Sequence, residues 1–95
     1  MKGYLVLDLK ISDATRFMRY VKEIPEHIQK HGGRYLVKGV VPETIEGHWS
    51  PERLVILEFP STDHAREFLA DPEAEALFSL RHQSTDSQLI LVEGC

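Results

Sequence analysis

The chain has 95 residues, of which 42% are hydrophobic and 27% charged, and its formal net charge is −4. The length predicts one domain over residues 1–95, and the composition is that of a globular chain, not a disordered one. No basic run is present, which excludes nucleic acid as an expected partner because binding to phosphates needs clustered cations.

The chain begins with a strand and a long helix. Residues 4–11 alternate apolar and polar side chains, the period of a strand. Ser12 or Asp13 is expected to cap the following helix through a side-chain oxygen. Pro25 lies inside the helical pattern and removes one hydrogen bond, so we expect a kink or break between Tyr20 and Pro25.

Two further strands follow the first helix. Gly32-Gly33 is expected to end the helix, because glycine accepts the left-handed conformation found at helix C-termini. Residues 34–41 then predict the second strand. After a loop that contains several turn-forming residues, residues 53–59 predict the third strand.

The last third of the chain predicts helix and strand again. Ser61 is expected to cap a short helix, and Asp71-Pro72-Glu73 is expected to start another, with Asp71 as its cap. Residues 88–93 predict the final strand. The resulting order, βαββαβ, indicates an α+β ferredoxin-like fold: an antiparallel sheet with strands one and three at its centre and both helices on one face.

The opposite face of this sheet has no helix to cover it. By alternation, the helix-covered face is expected to carry Leu5, Leu7, Leu9, Val55, Leu57 and Phe59, and the opposite face Val6, Asp8, Leu36, Lys38, Leu54, Ile56, Glu58, Ile90 and Val92. A contiguous apolar patch is rarely left open on a monomer. A second copy of the chain, packed sheet against sheet about a two-fold axis, would cover it. We therefore expect a homodimer.

Charged residues on the same face suggest a candidate site. Asp8 and Glu58 lie on the two central strands and are expected to be neighbours, with Arg34 and Lys38 on the flanking strand. An ion-pair network is the simpler interpretation, since a charge inside an apolar interface must be paired or solvated. The alternative is a ligand pocket in which burial and Asp8 raise the pKa of Glu58, so that Glu58 acts as a general base.

Three other residues are candidates for the same site. Trp49 follows His48 in the loop between strands two and three. In one interpretation Trp49 covers the end of the core or packs on the partner subunit. In the other it forms the wall of a pocket in which His48 is an acid or base. Arg81 either offsets the negative end of the last helix dipole or holds an anionic ligand. Tyr20 and Tyr35 are expected in the core or interface.

No metal or cofactor is expected from the sequence. His27 and His31 have the spacing of two metal ligands on one helix face, but no third ligand is evident, and a solvated helix edge is the simpler interpretation. Cys95 is the only cysteine, which excludes an internal disulfide. No secretion signal or membrane-spanning stretch is expected, so we expect a cytoplasmic protein without a membrane partner.

Several stretches together resemble a known family. They are His31-Gly32-Gly33-Arg34-Tyr35-Leu36-Val37-Lys38-Gly39, Glu46-Gly47-His48-Trp49, Leu57-Glu58-Phe59-Pro60-Ser61, and Asp71-Pro72-Glu73 with Leu80-Arg81. Their order and spacing are similar to those of the domain-of-unknown-function family numbered thirteen-thirty, in the dimeric α/β-barrel superfamily. The resemblance implies the ferredoxin-like fold and the dimer but no activity. Lys38, Val40 and Ala74 depart from the family pattern, where Arg, Gly and an aromatic residue are expected.

Two functions from different classes stay open on the sequence. The first is a cofactor-independent enzyme that acts on a small molecule, with Glu58 and His48 as catalytic residues and Arg34, Trp49, Arg81, Asp8 and Lys38 as ligand contacts. The second is a non-catalytic dimeric module that binds a metabolite or another protein. A purely structural interface, in which the charges pair with each other, is a third interpretation.

Overall fold

The computed structural model describes residues 1–95 and has the expected ferredoxin-like architecture. Its elements are β1 (Gly3–Ile11), α1 (Ala14–Lys30), β2 (Arg34–Val40), β3 (Arg53–Phe59), α2 (Thr62–Leu69), α3 (Glu75–Ser84) and β4 (Thr85–Glu93). The strands form one antiparallel sheet in the order β2-β3-β1-β4. The predicted fold class is therefore confirmed. None of the helices combines the length and the apolar character needed to cross a membrane.

Helix α1 is continuous, which corrects the expected break at Pro25. Asp13 caps it, since its carboxylate accepts a hydrogen bond of 3.1 Å from the Arg16 amide. Ile24 and Ile28, on either side of Pro25, are only 1% and 2% exposed. Burying each contributes about 1.5–3 kcal/mol, which offsets the roughly 3 kcal/mol that an internal proline costs. Packing therefore keeps this segment helical.

The boundary between α2 and α3 also differs from expectation. Asp71 does not cap α3, because its carboxylate accepts a hydrogen bond of 2.9 Å from the Glu73 amide and closes a turn instead. The helix begins only at Glu75. Strand β4 starts at Thr85, three residues before the predicted start, because Ile11 at the end of β1 pairs with Thr85 and extends the ladder.

Strand β2 contains two irregularities that change which face its side chains occupy. Tyr35 pairs with Leu57, but the next pair is Val37 with Ile56, so Leu36 is an extra, unpaired residue. A second shift leaves Gly39 unpaired, and its φ of +71° is the left-handed conformation that glycine favours at such a bulge.

These bulges correct the predicted position of Lys38. Because side chains alternate along a strand, one extra residue moves those that follow to the other face. Lys38 pairs with Val55, whose side chain lies on the helix-covered face. Lys38 therefore does not join Asp8 and Glu58 on the outer face, as simple alternation predicted.

The hydrophobic core lies between the sheet and the helices. Its buried members are Leu5, Leu7, Leu9, Phe17, Tyr20, Ile24, Ile28, Leu57, Phe59, Ala65, Phe68 and Leu77. Phe68 of α2 connects the sheet to α3, with its ring centroid 5.4 Å from that of Phe59 and 5.3 Å from that of Phe78. The residues on β1 and β3 are those that alternation placed on the helix side.

The other face of the sheet, which we call the outer face, is exposed and largely apolar. Leu36, Val40, Ile90 and Val92 on its two edge strands are 46%, 56%, 56% and 44% exposed. Val6 and Ile56 are half-buried and lie at the centre of this face, where they pair with each other across β1 and β3. Val6 also pairs with Ile90 on β4, and Ile56 with Val37 on β2. The apolar surface therefore runs from one edge of the sheet to the other.

Candidate functional site

Glu58 on the outer face takes part in an ion-pair network. The Arg34 Nε donates a hydrogen bond of 2.9 Å to the Glu58 carboxylate, and the Lys2 ammonium lies 3.4 Å from the same oxygen. The hydrogen bond from Arg34 lowers the pKa of Glu58 below its ordinary value, although burial acts in the opposite direction. The structure thus has the ion pairs of the simpler interpretation, and the raised pKa of Glu58 in the ligand-pocket alternative is contradicted, because a cation accompanies this carboxylate.

Asp8 is also on the outer face but is far from Glu58. Glu58 pairs across the strands with Tyr4, whereas Asp8 pairs with Leu54. Asp8 therefore lies four residues along β1 from the partner of Glu58, or about 13 Å at the rise of a strand. The expectation that Asp8 and Glu58 are neighbours was wrong, because they occupy opposite ends of the antiparallel pair.

Trp49 reaches the outer face at the Asp8 end. Its Nε1 donates a hydrogen bond of 2.8 Å to the Asp8 carboxylate, while its side chain is 61% exposed. With Leu54 and loop residues it lines a hollow of about 300 Å³. His48, next to Trp49, is exposed in the loop. The structure thus joins Trp49 to Asp8 and, separately, Arg34 to Glu58, but it does not bring the two predicted catalytic residues together.

A larger cavity lies on the other side of the sheet, between α1 and the helix-covered faces of β1, β2 and β3. Its volume is about 350 Å³. Twelve of its 15 lining residues are hydrophobic; the full set is Leu7, Leu9, Ile11, Phe17, Met18, Tyr20, Val21, Ile24, Ile28, Tyr35, Lys38, Gly39, Arg53, Val55 and Leu57. Its size and apolar lining are those of a small-molecule site.

Four polar side chains converge on this cavity. Lys38 and Arg53 are exposed and lie at its opening, whereas Tyr20 is buried and Tyr35 half-buried. The Lys38 ammonium lies 4.8 Å from the centroid of the Tyr35 ring, within the range of a cation–π contact. Burial raises the pKa of Tyr35 to about 12, with a smaller contribution from nearby Tyr20. Tyr35 is therefore a neutral hydrogen-bond donor at ordinary pH.

Arg81 lies behind Tyr20 and is only 5% exposed. Its Nη1 donates a hydrogen bond of 3.2 Å to the Tyr20 hydroxyl, and its guanidinium lies 5.6 Å and 5.5 Å from the ring centroids of Tyr20 and Phe78. Arg81 is therefore packed between α1 and α3, not merely placed at the end of α3. Arg81 is thus connected to the cavity through Tyr20, which is one of the lining residues.

Tyr20 is in the core, as expected, with its hydroxyl hydrogen-bonded to Arg81, and Tyr35 packs against the core. Sequence reasoning did not foresee that these two residues and Arg53 line a cavity. No local signal marked Tyr20 or Arg53; for the irregular strand β2, Gly39 was a partial signal, because a glycine inside a strand pattern often marks a bulge. A bulge there would have indicated that the faces of β2 could not be assigned by alternation alone.

His31, the residue that follows the last turn of α1, has a structural role. His31 Nε2 lies 2.7 Å from the Asp71 carboxylate, which also accepts a hydrogen bond of 2.9 Å from Lys30. These contacts lower the pKa of Asp71 well below its ordinary range, with the His31 hydrogen bond as the largest cause. They tie the end of α1 to the turn before α3. No group of three or more His, Cys, Asp or Glu side chains is placed to hold a metal ion.

Comparison with known proteins gives a family and a fold. The sequence model of a family described as a domain of unknown function, DUF1330, matches residues 2–95. No curated protein matches the chain. Among solved structures, a protein of unknown function from Rhodopseudomonas palustris has a TM-score of 0.79 and 18% identity, over 99% of this chain and 82% of that one.

Two further structures show how broadly this fold is used. SnoaB, a cofactor-independent oxygenase from Streptomyces nogalater, has a TM-score of 0.66 and 12% identity, over 99% of this chain and 93% of that one. A de novo designed protein, Foldit4, has a TM-score of 0.64 and 9% identity over the whole of both chains. At such identities the likeness shows the fold alone, and an activity has to be argued from the site.

Proposed function

Because this chain belongs to the DUF1330 family, whose description names no activity, we propose its function from the geometry of its site. We propose that it is a small-molecule enzyme without a bound cofactor, acting in the cavity between α1 and the sheet. The cavity carries this proposal: it has room for a small molecule and joins an apolar wall to a few polar groups. SnoaB, which shares this fold, is described as a cofactor-independent oxygenase, so the fold is compatible with a reaction of this kind.

The chemistry available in the cavity is electrostatic. The polar residues that line it are Tyr20, Tyr35, Lys38 and Arg53. All four can donate hydrogen bonds to an oxygen atom that gains negative charge during a reaction. The apolar residues of the wall lower the local dielectric constant, which makes such stabilisation stronger than it is in water.

A blocking variant tests whether the cavity is the binding site. Val21 lines the cavity and is half-buried, so Val21→Trp should fill it. Ile45→Trp is the matched control, because Ile45 is 80% exposed in a loop away from the cavity. Isothermal titration with 2-naphthamide and 2-naphthoate, together with native mass spectrometry, should show binding to the wild type and Ile45→Trp but not to Val21→Trp. Absence of binding to the wild type would refute the proposal.

The second proposed property is a homodimer formed through the outer face. This face places Ile90 and Val92 on one edge and Leu36 and Val40 on the other, all close to half exposed. A second copy would remove these side chains from water. In a two-fold dimer the same face of each subunit covers that of the other, so no further partner is needed. A monomer at micromolar concentration in light scattering would contradict this proposal.

A second candidate site lies on the outer face itself. There Glu58 and His48 retain the proposed catalytic roles, and Arg34, Trp49 and Asp8 the proposed binding roles, with the hollow beside Trp49 as the observation in favour. Because its two ends are separate on one subunit, this site requires the partner sheet to close it. Loss of turnover in Glu58→Gln, with the dimer intact, would support it.

Binding without turnover is the alternative function of the cavity. Its lining contains no His, Cys, Asp or Glu, the side chains that most often act as general bases. This composition favours a metabolite-binding module over an enzyme that removes a proton. Thermal stabilisation by a bound molecule that is recovered chemically unchanged would distinguish the module from the enzyme.

A further inference from the structure

Both charged residues that line the cavity are cations. Lys38 and Arg53 line its opening and Arg81 lies behind its wall, whereas no carboxylate is among the lining residues. None of these three cations belongs to any of the ion pairs in the structure. This is unexpected for a chain with 15 acidic and 11 basic residues. The positive charge is therefore a local property of the cavity.

Arg81 is the most unusual of the three. A buried charge is costly unless it is paired and hydrogen-bonded. Arg81 is 5% exposed, and its polar contacts are the Tyr20 hydroxyl at 3.2 Å and the His82 Nε2 at 3.3 Å. Its Nε has no hydrogen-bond partner. The two aromatic rings beside the guanidinium offset part of the cost, but no negative charge balances it.

The hydrogen bond from Arg81 also determines what Tyr20 can do. The Tyr20 oxygen accepts from Arg81, so the tyrosine's own proton is available to a second acceptor. A hydroxyl that accepts from a cation becomes a stronger donor, since hydrogen bonds in a chain polarise one another. Tyr35 on the facing strand remains protonated because burial raises its pKa to about 12. The polar end of the cavity therefore offers donors with a positive charge behind them.

We infer that the ligand has an apolar body and a single anionic oxygen group, such as a carboxylate, phenolate or enolate. Tyr20 contacts that oxygen, Arg81 is a positioning residue that acts through Tyr20, and Lys38 and Arg53 attract the anion to the opening. This inference rests on the proposed cavity and adds the charge class of its ligand.

The test compares two probes that differ in charge and little in shape. We would measure the dissociation constants of 2-naphthoate and 2-naphthamide by isothermal titration at low salt. The wild type should prefer the carboxylate by about tenfold or more, since a hydrogen bond to a charged group is stronger than one to a neutral group. Tyr20→Phe and Lys38→Gln should each reduce this preference. The ratio of the two dissociation constants is the readout, because a purely structural change would weaken the binding of both probes equally.

A matched control separates the site from the charge of the whole protein. Lys22→Gln removes the same charge from an exposed position on α1 outside the cavity lining, and it should leave the preference unchanged. Equal binding of both probes to the wild type would overturn the anion inference while the cavity stands. Binding of neither probe would refute the cavity proposal and the inference with it. An unchanged preference in both Tyr20→Phe and Lys38→Gln would place the anion contact elsewhere and refute the roles assigned to these two residues.

Discussion

Truncating Ile90 should weaken the proposed dimer without unfolding the subunit. Ile90 is 56% exposed on the outer face, so a partner sheet would bury about half of its side chain. Ile90→Ala removes three carbons, each contributing about 0.8 kcal/mol when buried. Weighted by that exposure, the loss is about 1.3 kcal/mol per subunit. Two-fold symmetry doubles it, which corresponds to an increase of roughly a hundredfold in the dimer Kd.

Sedimentation over a concentration series measures this Kd. Met18→Ala is the matched control, because Met18 is 49% exposed but lies on α1, in the opposite layer of the fold. The dimer Kd of the control should match the wild type, and both variants should keep the circular dichroism spectrum of the wild type. An unchanged Kd in Ile90→Ala, or an equal increase in Met18→Ala, would refute the assignment of the outer face as the interface.

Three other predictions concern single ionisable groups. Glu58→Gln should lower the melting temperature and leave naphthoate binding intact, because it removes an ion pair that lies outside the cavity. Loss of naphthoate binding at an unchanged melting temperature would instead favour the outer-face site. Contacts with His31 depress the pKa of Asp71 in the folded state. Its stabilisation is therefore present above the unfolded value of about 3.9 and is lost as the pH falls towards the folded value. Denaturant unfolding between about pH 6 and pH 2 should show a steeper loss in the wild type than in Asp71→Asn, and parallel curves would contradict this. In an ultraviolet titration Tyr35 should ionise near pH 12, and this absorbance change should be absent in Tyr35→Phe. Ionisation of all three tyrosines near pH 10 would contradict the burial of Tyr35.

The sequence was sufficient for the fold where local pattern and packing agree. The alternation in β1 and β3 correctly placed Leu5, Leu7, Leu9, Leu57 and Phe59 in the core. These two strands are central, so both of their neighbours fix the register. Strand β2 pairs on one side only, and an edge strand can accept bulges that a central strand would disrupt. Alternation therefore failed there first.

The candidate site was harder to predict because it depends on that edge strand. Leu36 enters β2 as an unpaired residue and turns Lys38 from the outer face to the cavity. Nothing in local propensity distinguishes Leu36 from its neighbours. An ion-pair network at Glu58 was the simpler interpretation of the sequence, but the separation of Glu58 from Asp8 depends on the register of β1 against β3. Register is a tertiary property that a single sequence specifies only weakly.

The two faces of the sheet differ in how completely they satisfy their charges. On the outer face, Glu58 has Arg34 and Lys2, and Asp8 accepts from Trp49. These carboxylates suggested chemistry in the sequence, yet the fold itself supplies their partners. Behind the cavity wall the opposite holds, because Arg81 is buried without a counter-ion and its Nε has no hydrogen-bond partner. A buried group without a partner lowers the free energy of unfolding. A ligand that supplies the missing negative charge would restore part of that free energy when it binds. For this reason the search for a ligand should begin with anions on the helix side of the sheet.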